Sequence, residues 1–103
     1  MKTLSKNLIK KITDYFKNSP VLRAWLFGSY SRGEEKEDSD VDILVQFDPQ
    51  AGVSLLRHAK IYLDLKKILN KEVDLVTDGT LMPYAQETAD RDKILIYERE
   101  SKR

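Results

Sequence analysis

The sequence predicts an α/β domain of the α+β kind, a small mixed sheet flanked by helices. Two stripes of apolar residues have helical period, and three short apolar runs are bounded by turn residues. Helical and extended patterns also alternate along the chain, as they do when helices pack on a sheet.

In LSKNLIKKITDYFK, residues 4–17, Leu4, Leu8, Ile12 and Tyr15/Phe16 recur at spacings of three and four, one face of a helix. Asn18-Ser19-Pro20 ends it, because the residue before a proline is pushed out of the helical region. VLRAWLF, residues 21–27, is short, apolar and closed by Gly28, which suits a buried strand. Residues 29–39 are polar and open with a helical turn at Ser29. DVDILVQF, residues 40–47, is a second strand ended by Asp48-Pro49 and Gly52. Apolar side chains at 61, 62, 65, 68 and 69 mark a helix within 53–69, and Lys66 and Lys67 suit the negative end of its dipole. EVDLVT, residues 72–77, is a third strand. Pro83 is placed as the first residue of a helix running to about residue 92. KILIYE, residues 93–98, reads equally as a final strand or a helix end. The whole chain, 1–103, reads as one domain without repeat or linker, with residues 98–103 expected to fray.

Composition removes several classes of function. With no cysteine there is no thiolate nucleophile, disulfide or Cys-based zinc site, and a single histidine, His58, rules out His-rich metal centres. A net charge of +1 provides no basic field for nucleic acid, so no direct nucleic-acid binding is expected. No apolar run reaches the roughly 18 residues of a membrane span, and the polar start carries no secretion signal. The expectation is a cytoplasmic protein that does not touch a membrane. Trp25 and Tyr62 are read as core, and EEKED, residues 34–38, as a solvated loop.

The stretch GSYSRGEEKEDSDVD, residues 28–42, places Gly28-Ser29, then ten residues, then Asp40 and Asp42 around one valine. Side chains alternate along a strand, so Val41, Ile43, Val45 and Phe47 form the core face and Asp40, Asp42, Leu44 and Gln46 the other. The same alternation puts Glu72, Asp74 and Val76 together on the third strand. If the two strands are neighbours, Asp74 joins the Asp40/Asp42 pair. Three such carboxylates repel unless a cation or a retained proton lies among them. Hard oxygen donors suit Mg²⁺ shared with substrate phosphates, and two such ions can clamp an in-line phosphoryl displacement. Gly28 and Ser29, between a strand and a helical turn, offer backbone N–H groups and a hydroxyl to phosphate. Residues 34–42 hold six acids against Lys36 alone, so metal-free ATP should be repelled.

This pattern resembles the nucleotidyltransferase signature of the DNA polymerase β superfamily. GSYSRG (28–33), SDVDILV (39–45) and VDLV (73–76) in so short a chain are similar to the minimal nucleotidyltransferases, or MNT proteins. The resemblance implies a nucleotidyltransferase fold in which Asp40, Asp42 and Asp74 are catalytic and bind the Mg²⁺ ions. Asp74 would also help deprotonate the attacking hydroxyl. It implies that Gly28 and Ser29 hold the phosphates of ATP, with Arg32 in a phosphate or structural role. It implies an antitoxin partnered with a HEPN-domain ribonuclease toxin, inactivating it by transferring AMP from ATP to a hydroxyl, by expectation a tyrosine.

Two other functions compete: an antitoxin that acts by occlusion, and transfer to a small molecule. The complete set of site residues favours catalysis, and the lack of residues for an acceptor-binding domain argues against a small acceptor. The chain does not resemble the ribonuclease, which carries an Arg, then four to six residues, then a His. Residues 49–53 ahead of His58 are PQAGV. Tyr84, Tyr97 and the basic C-terminus are candidates for a partner surface.

Overall fold

Helix α1 (Lys6–Phe16) forms because Leu8, Ile12 and Phe16 fall on one face, and all three are buried. A computed structural model describes residues 6–80 and 82–99. Leu4, assigned to the same stripe, lies outside them. Strand β1 (Val21–Phe27) follows the turn at Ser19-Pro20, and the four-residue helix α2 (Ser29–Arg32) follows β1 directly. Strand β2 (Val41–Phe47), helix α3 (Leu55–Leu69), strand β3 (Val73–Thr77), helix α4 (Pro83–Asp92) and strand β4 (Ile94–Glu98) complete the order. Ser54 caps α3 by accepting a hydrogen bond from the Arg57 amide, and Asn70 closes it in the left-handed conformation. Pro83 opens α4 as the sequence predicts, and the open question at 93–98 resolves as a strand.

The strands form one mixed sheet in the order β3-β2-β1-β4. β1 is antiparallel to both β2 and β4, whereas β2 and β3 are parallel and joined through α3. α1 and α3 cover one face. Their Ile12, Phe16, Ile61 and Leu65 pack with Ala24, Leu26, Val41, Ile43 and Val45 in a fully buried core. Tyr15 donates a 2.6 Å hydrogen bond to Asp64 and ties the two helices together. The phenol is half-buried beside that carboxylate, so its pKa is pushed above the ordinary tyrosine range.

The other face carries three rows set by strand register. Asp74, Asp42 and Phe27 lie side by side in the first, and Val76, Leu44, Trp25 and Leu95 in the second. The third is polar: Arg23 reaches Glu98 at 2.6 Å and Gln46 at 2.8 Å. One expectation is corrected by these rows, and the place of Leu44 on the second face is borne out. Trp25 is not in the main core; it lies half-buried on the second face with the Lys93 ammonium 4.5 Å from its ring centre. Leu44, on the face assigned to the acids, is fully buried between its neighbours.

Order also runs beyond the expected fraying point. Glu98 ends β4 in its pairing with Arg23, and Arg99 bonds Asp48 at 3.0 Å and the Ser19 carbonyl at 3.1 Å. Residues 100–103 lie outside the described residues. Tyr97, a candidate for a partner surface, packs instead on Phe16 with ring centres 5.8 Å apart.

Candidate active site

The site grows from the ends of β1, β2 and β3. The parallel register pairs Asp42 with Asp74, and the antiparallel register pairs Asp42 with Phe27. Adjacent strands are about 4.8 Å apart, so the two carboxylates are neighbours on one face. Asp40 precedes β2 by one residue and is exposed, as is Asp74. Asp42 is half-buried. Burial, then the charge of Asp74, then that of Asp40 push its pKa up to about 6, against the opposing effect of Arg32.

Gly28 links this row to the turn beyond β1. Its φ of 70° and ψ of −148° belong to a region open to glycine and closed to L side chains. A Cβ built there would lie 2.1 Å from Oδ2 of Asp42, so the missing side chain is the space the carboxylate occupies. α2 then rises from Gly28, anchored by buried Tyr30 and closed by left-handed Gly33. Ser31 donates a 2.8 Å hydrogen bond to the Gly28 carbonyl and fixes the turn. Ser29 opens that turn, half-buried, and its carbonyl accepts the Glu34 amide at 2.9 Å.

Arg32 is held at two points, by Glu34 at 2.8 Å and by Asp92 of α4 at 3.4 Å. Its charge also reaches Asp42. His58 lies away from this row, edge-on to Phe47 with ring centres 5.9 Å apart.

Sequence reading grouped Gly28, Asp40, Asp42 and Asp74; the sheet register pairs Asp42 with Asp74, and Gly28 abuts the Asp42 carboxylate. Sequence reading missed Phe27 beside Asp42 and Asp92 behind Arg32. Position 27 reads as one more apolar residue of a strand, and the Arg32–Asp92 pair spans 60 residues. Among the described residues, no group of three or more His, Cys, Asp or Glu is gathered closely enough to hold a metal ion by itself. The donor set still fits a hard divalent cation. It is all carboxylate oxygen, it carries unbalanced charge, and its central member is half-desolvated. Among the described residues, no helix is long and apolar enough to cross a membrane.

A family model described as polymerase beta, nucleotidyltransferase matches residues 10–102. A Methanocaldococcus jannaschii protein assigned as a protein adenylyltransferase is 37% identical over 100 residues, covering 93% of this chain and 100% of that protein. Protein adenylyltransferase MntA of Thermococcus cleftensis is 42% identical over 71 residues, covering 69% of this chain and 70% of its own length. A solved structure assigned as a minimal nucleotidyltransferase superposes with a TM-score of 0.72 at 35% identity, over 86% of this chain and 89% of that one. A complex of a tri-AMPylated Shewanella oneidensis HEPN toxin with MNT antitoxin matches with a TM-score of 0.62 over 90% of this chain and 69% of that one. At 20% identity that last likeness is one of fold.

Proposed function

The chain belongs to the polymerase β nucleotidyltransferase family, and we propose that it transfers AMP from ATP to a hydroxyl of a HEPN toxin, with Mg²⁺ as cofactor. The observation that carries this reading is the placement of Asp42: paired in register with Asp74 and seated in the space left by Gly28. Relatives of substantial identity that act on proteins support the choice of a protein acceptor. The AMPylated toxin bound to a chain of this fold supports the choice of partner and an antitoxin role.

Asp40, Asp42 and Asp74 would hold the metal, which when bound stabilises charge on the attacking and leaving oxygens. Gly28 and Ser29 would position the phosphates by backbone N–H groups and a hydroxyl. Arg32 adds positive charge beside them. Asp74 lies on an edge strand and is exposed, so an acceptor hydroxyl on a second protein can reach it. The acceptor oxygen bonds the α-phosphorus and gives its proton to Asp74. The bond to the bridging oxygen breaks, and pyrophosphate leaves.

The test mixes the protein with a HEPN toxin encoded beside it, Mg²⁺, and ATP labelled at the α or the γ phosphate. Label from the α position alone, lost on Asp74→Asn and with EDTA, is the expected result. Label from the γ position alone would replace this reading with a kinase. A tight, neutralising complex without label would leave occlusion as the function.

A further inference from the structure

We propose that the cavity under α4 is the nucleobase site of the nucleotide substrate. This rests on the reading that Gly28, Ser29 and the aspartates hold the triphosphate and its metal. The cavity, about 220 Å³, is bounded by Phe27 and Gly28 on one side and by Tyr84, Ala85, Thr88 and Asp92 of α4 on the other. Gly28 and Arg32 border both this space and the carboxylate row, so a group bound in it is adjacent to the proposed phosphate site.

Size and lining select the occupant. Pockets for whole drug-sized ligands run from about 300 Å³ upward, so this one suits a single ring system. Phe27 provides an aromatic surface, and Ala85 adds only a small side chain to the lining. Tyr84 is 78% exposed at the rim, a ring available to stack on a base. Thr88 spends its hydroxyl hydrogen on the Tyr84 carbonyl at 3.1 Å and keeps acceptor capacity, and Asp92 is a carboxylate. Both are acceptors, which suits a base edge bearing an amino group, as adenine's does.

α4 is built to hold this space open. It buries Ala89 and no other residue. Polar links fix its two ends: Gln86 accepts from the Gly79 amide at 3.2 Å and donates to Asp78 at 3.1 Å, and Asp92 pairs with Arg32. A larger hollow of about 410 Å³ beside Lys66, Lys71 and Glu72 has no aromatic lining and offers a base no surface to stack on.

Isothermal titration of the full chain with Mg²⁺-ATP and with Mg²⁺-tripolyphosphate, which lacks the nucleoside, tests the assignment. Tyr84→Ala should weaken ATP about 5- to 150-fold, the span for losing a base-stacking ring, and leave tripolyphosphate unchanged. Ala85→Leu, which fills the space, should act the same way. Equal losses for both ligands, or none, would overturn the nucleobase site. Asp42→Asn separates the two readings. If it abolishes both ligands while Tyr84→Ala changes neither, the base site fails and the triphosphate site stands. If it changes neither while Tyr84→Ala weakens ATP alone, the base site stands and the triphosphate reading fails.

Discussion

Gly28 and Asp42 share one volume: the carboxylate oxygen Oδ2 lies 2.1 Å from where a Cβ on Gly28 would be. Gly28→Ala must therefore displace Asp42 or the turn. The backbone conformation alone costs an L side chain about 1–3 kcal/mol, and misplacing a reacting group by about 1 Å costs on the order of a hundredfold in rate. Denaturant unfolding should show the loss of stability, and adenylyl transfer under saturating ATP should show the loss of kcat.

Burial and the charges of Asp74 and Asp40 push the pKa of Asp42 up to about 6 in the fold, against an ordinary value of 3.8. A carboxyl raised in the fold binds its proton more tightly there than when unfolded. The ionised form thus opposes folding above pH 6, and stability rises as pH falls from about 6 toward 3.8. Asp42→Asn should remove that opposition, stabilising the metal-free protein at pH 7.5 and flattening the pH dependence of Tm. Because the group is half-exposed and screened, the gain is about 1 kcal/mol, a rise of about 4–8 °C in Tm. Melting curves from pH 4 to 8 measure it.

Removing Arg32 should shift the same titration further. Its charge lowers the Asp42 pKa while burial, Asp74 and Asp40 raise it. Arg32→Gln should carry the Asp42 midpoint above 6, readable from the carboxyl carbon chemical shift across a pH series. It should also loosen α4, whose Asp92 loses its link to Arg32 and keeps only its local pairing with Arg91.

Asp40 and Asp74 are exposed, so their asparagine variants should change stability by no more than about 0.5 kcal/mol. Each should nonetheless lower adenylyl transfer by about 10²-fold or more, the cost of losing a group aimed at developing charge. Unfolding and transfer assays on the same preparations separate these effects. A parallel loss of both would point to a structural role.

Mg²⁺ should reverse the acidic penalty. At a hundred times its Kd, a ligand that binds only the folded state adds about 2.7 kcal/mol. Titrating Mg²⁺ into the wild type should raise Tm, EDTA should return it, and Asp42→Asn should be insensitive to either. A response preserved in Asp42→Asn would place the ion elsewhere.

Local patterns determined much of this protein. Period two fixed which side of β2 carries Asp40 and Asp42. Helical spacing fixed the faces that α1 and α3 bury, and the bounds of α4 followed from Pro83. Gly28 was legible because a glycine between a strand and a helical turn has few other reasons to be there. These features depend on neighbours within a few residues, where covalent geometry sets direction.

Tertiary structure decided what lies beside what. The order β3-β2-β1-β4 puts Asp74 next to Asp42 and Phe27 on its other side, a pairing that alternation permits without requiring. It also moved Trp25 out of the core, since β-bulges in the pairing of β1 with its neighbours set which residues face α1 and α3. The strand at 94–98 exists because β1 offers it an edge, and Arg32 meets Asp92 because α4 returns over the end of β1. A strand's own sequence gives the parity of its faces. Its neighbours are chosen by the packing of the whole sheet, where distant residues compete for the same partners.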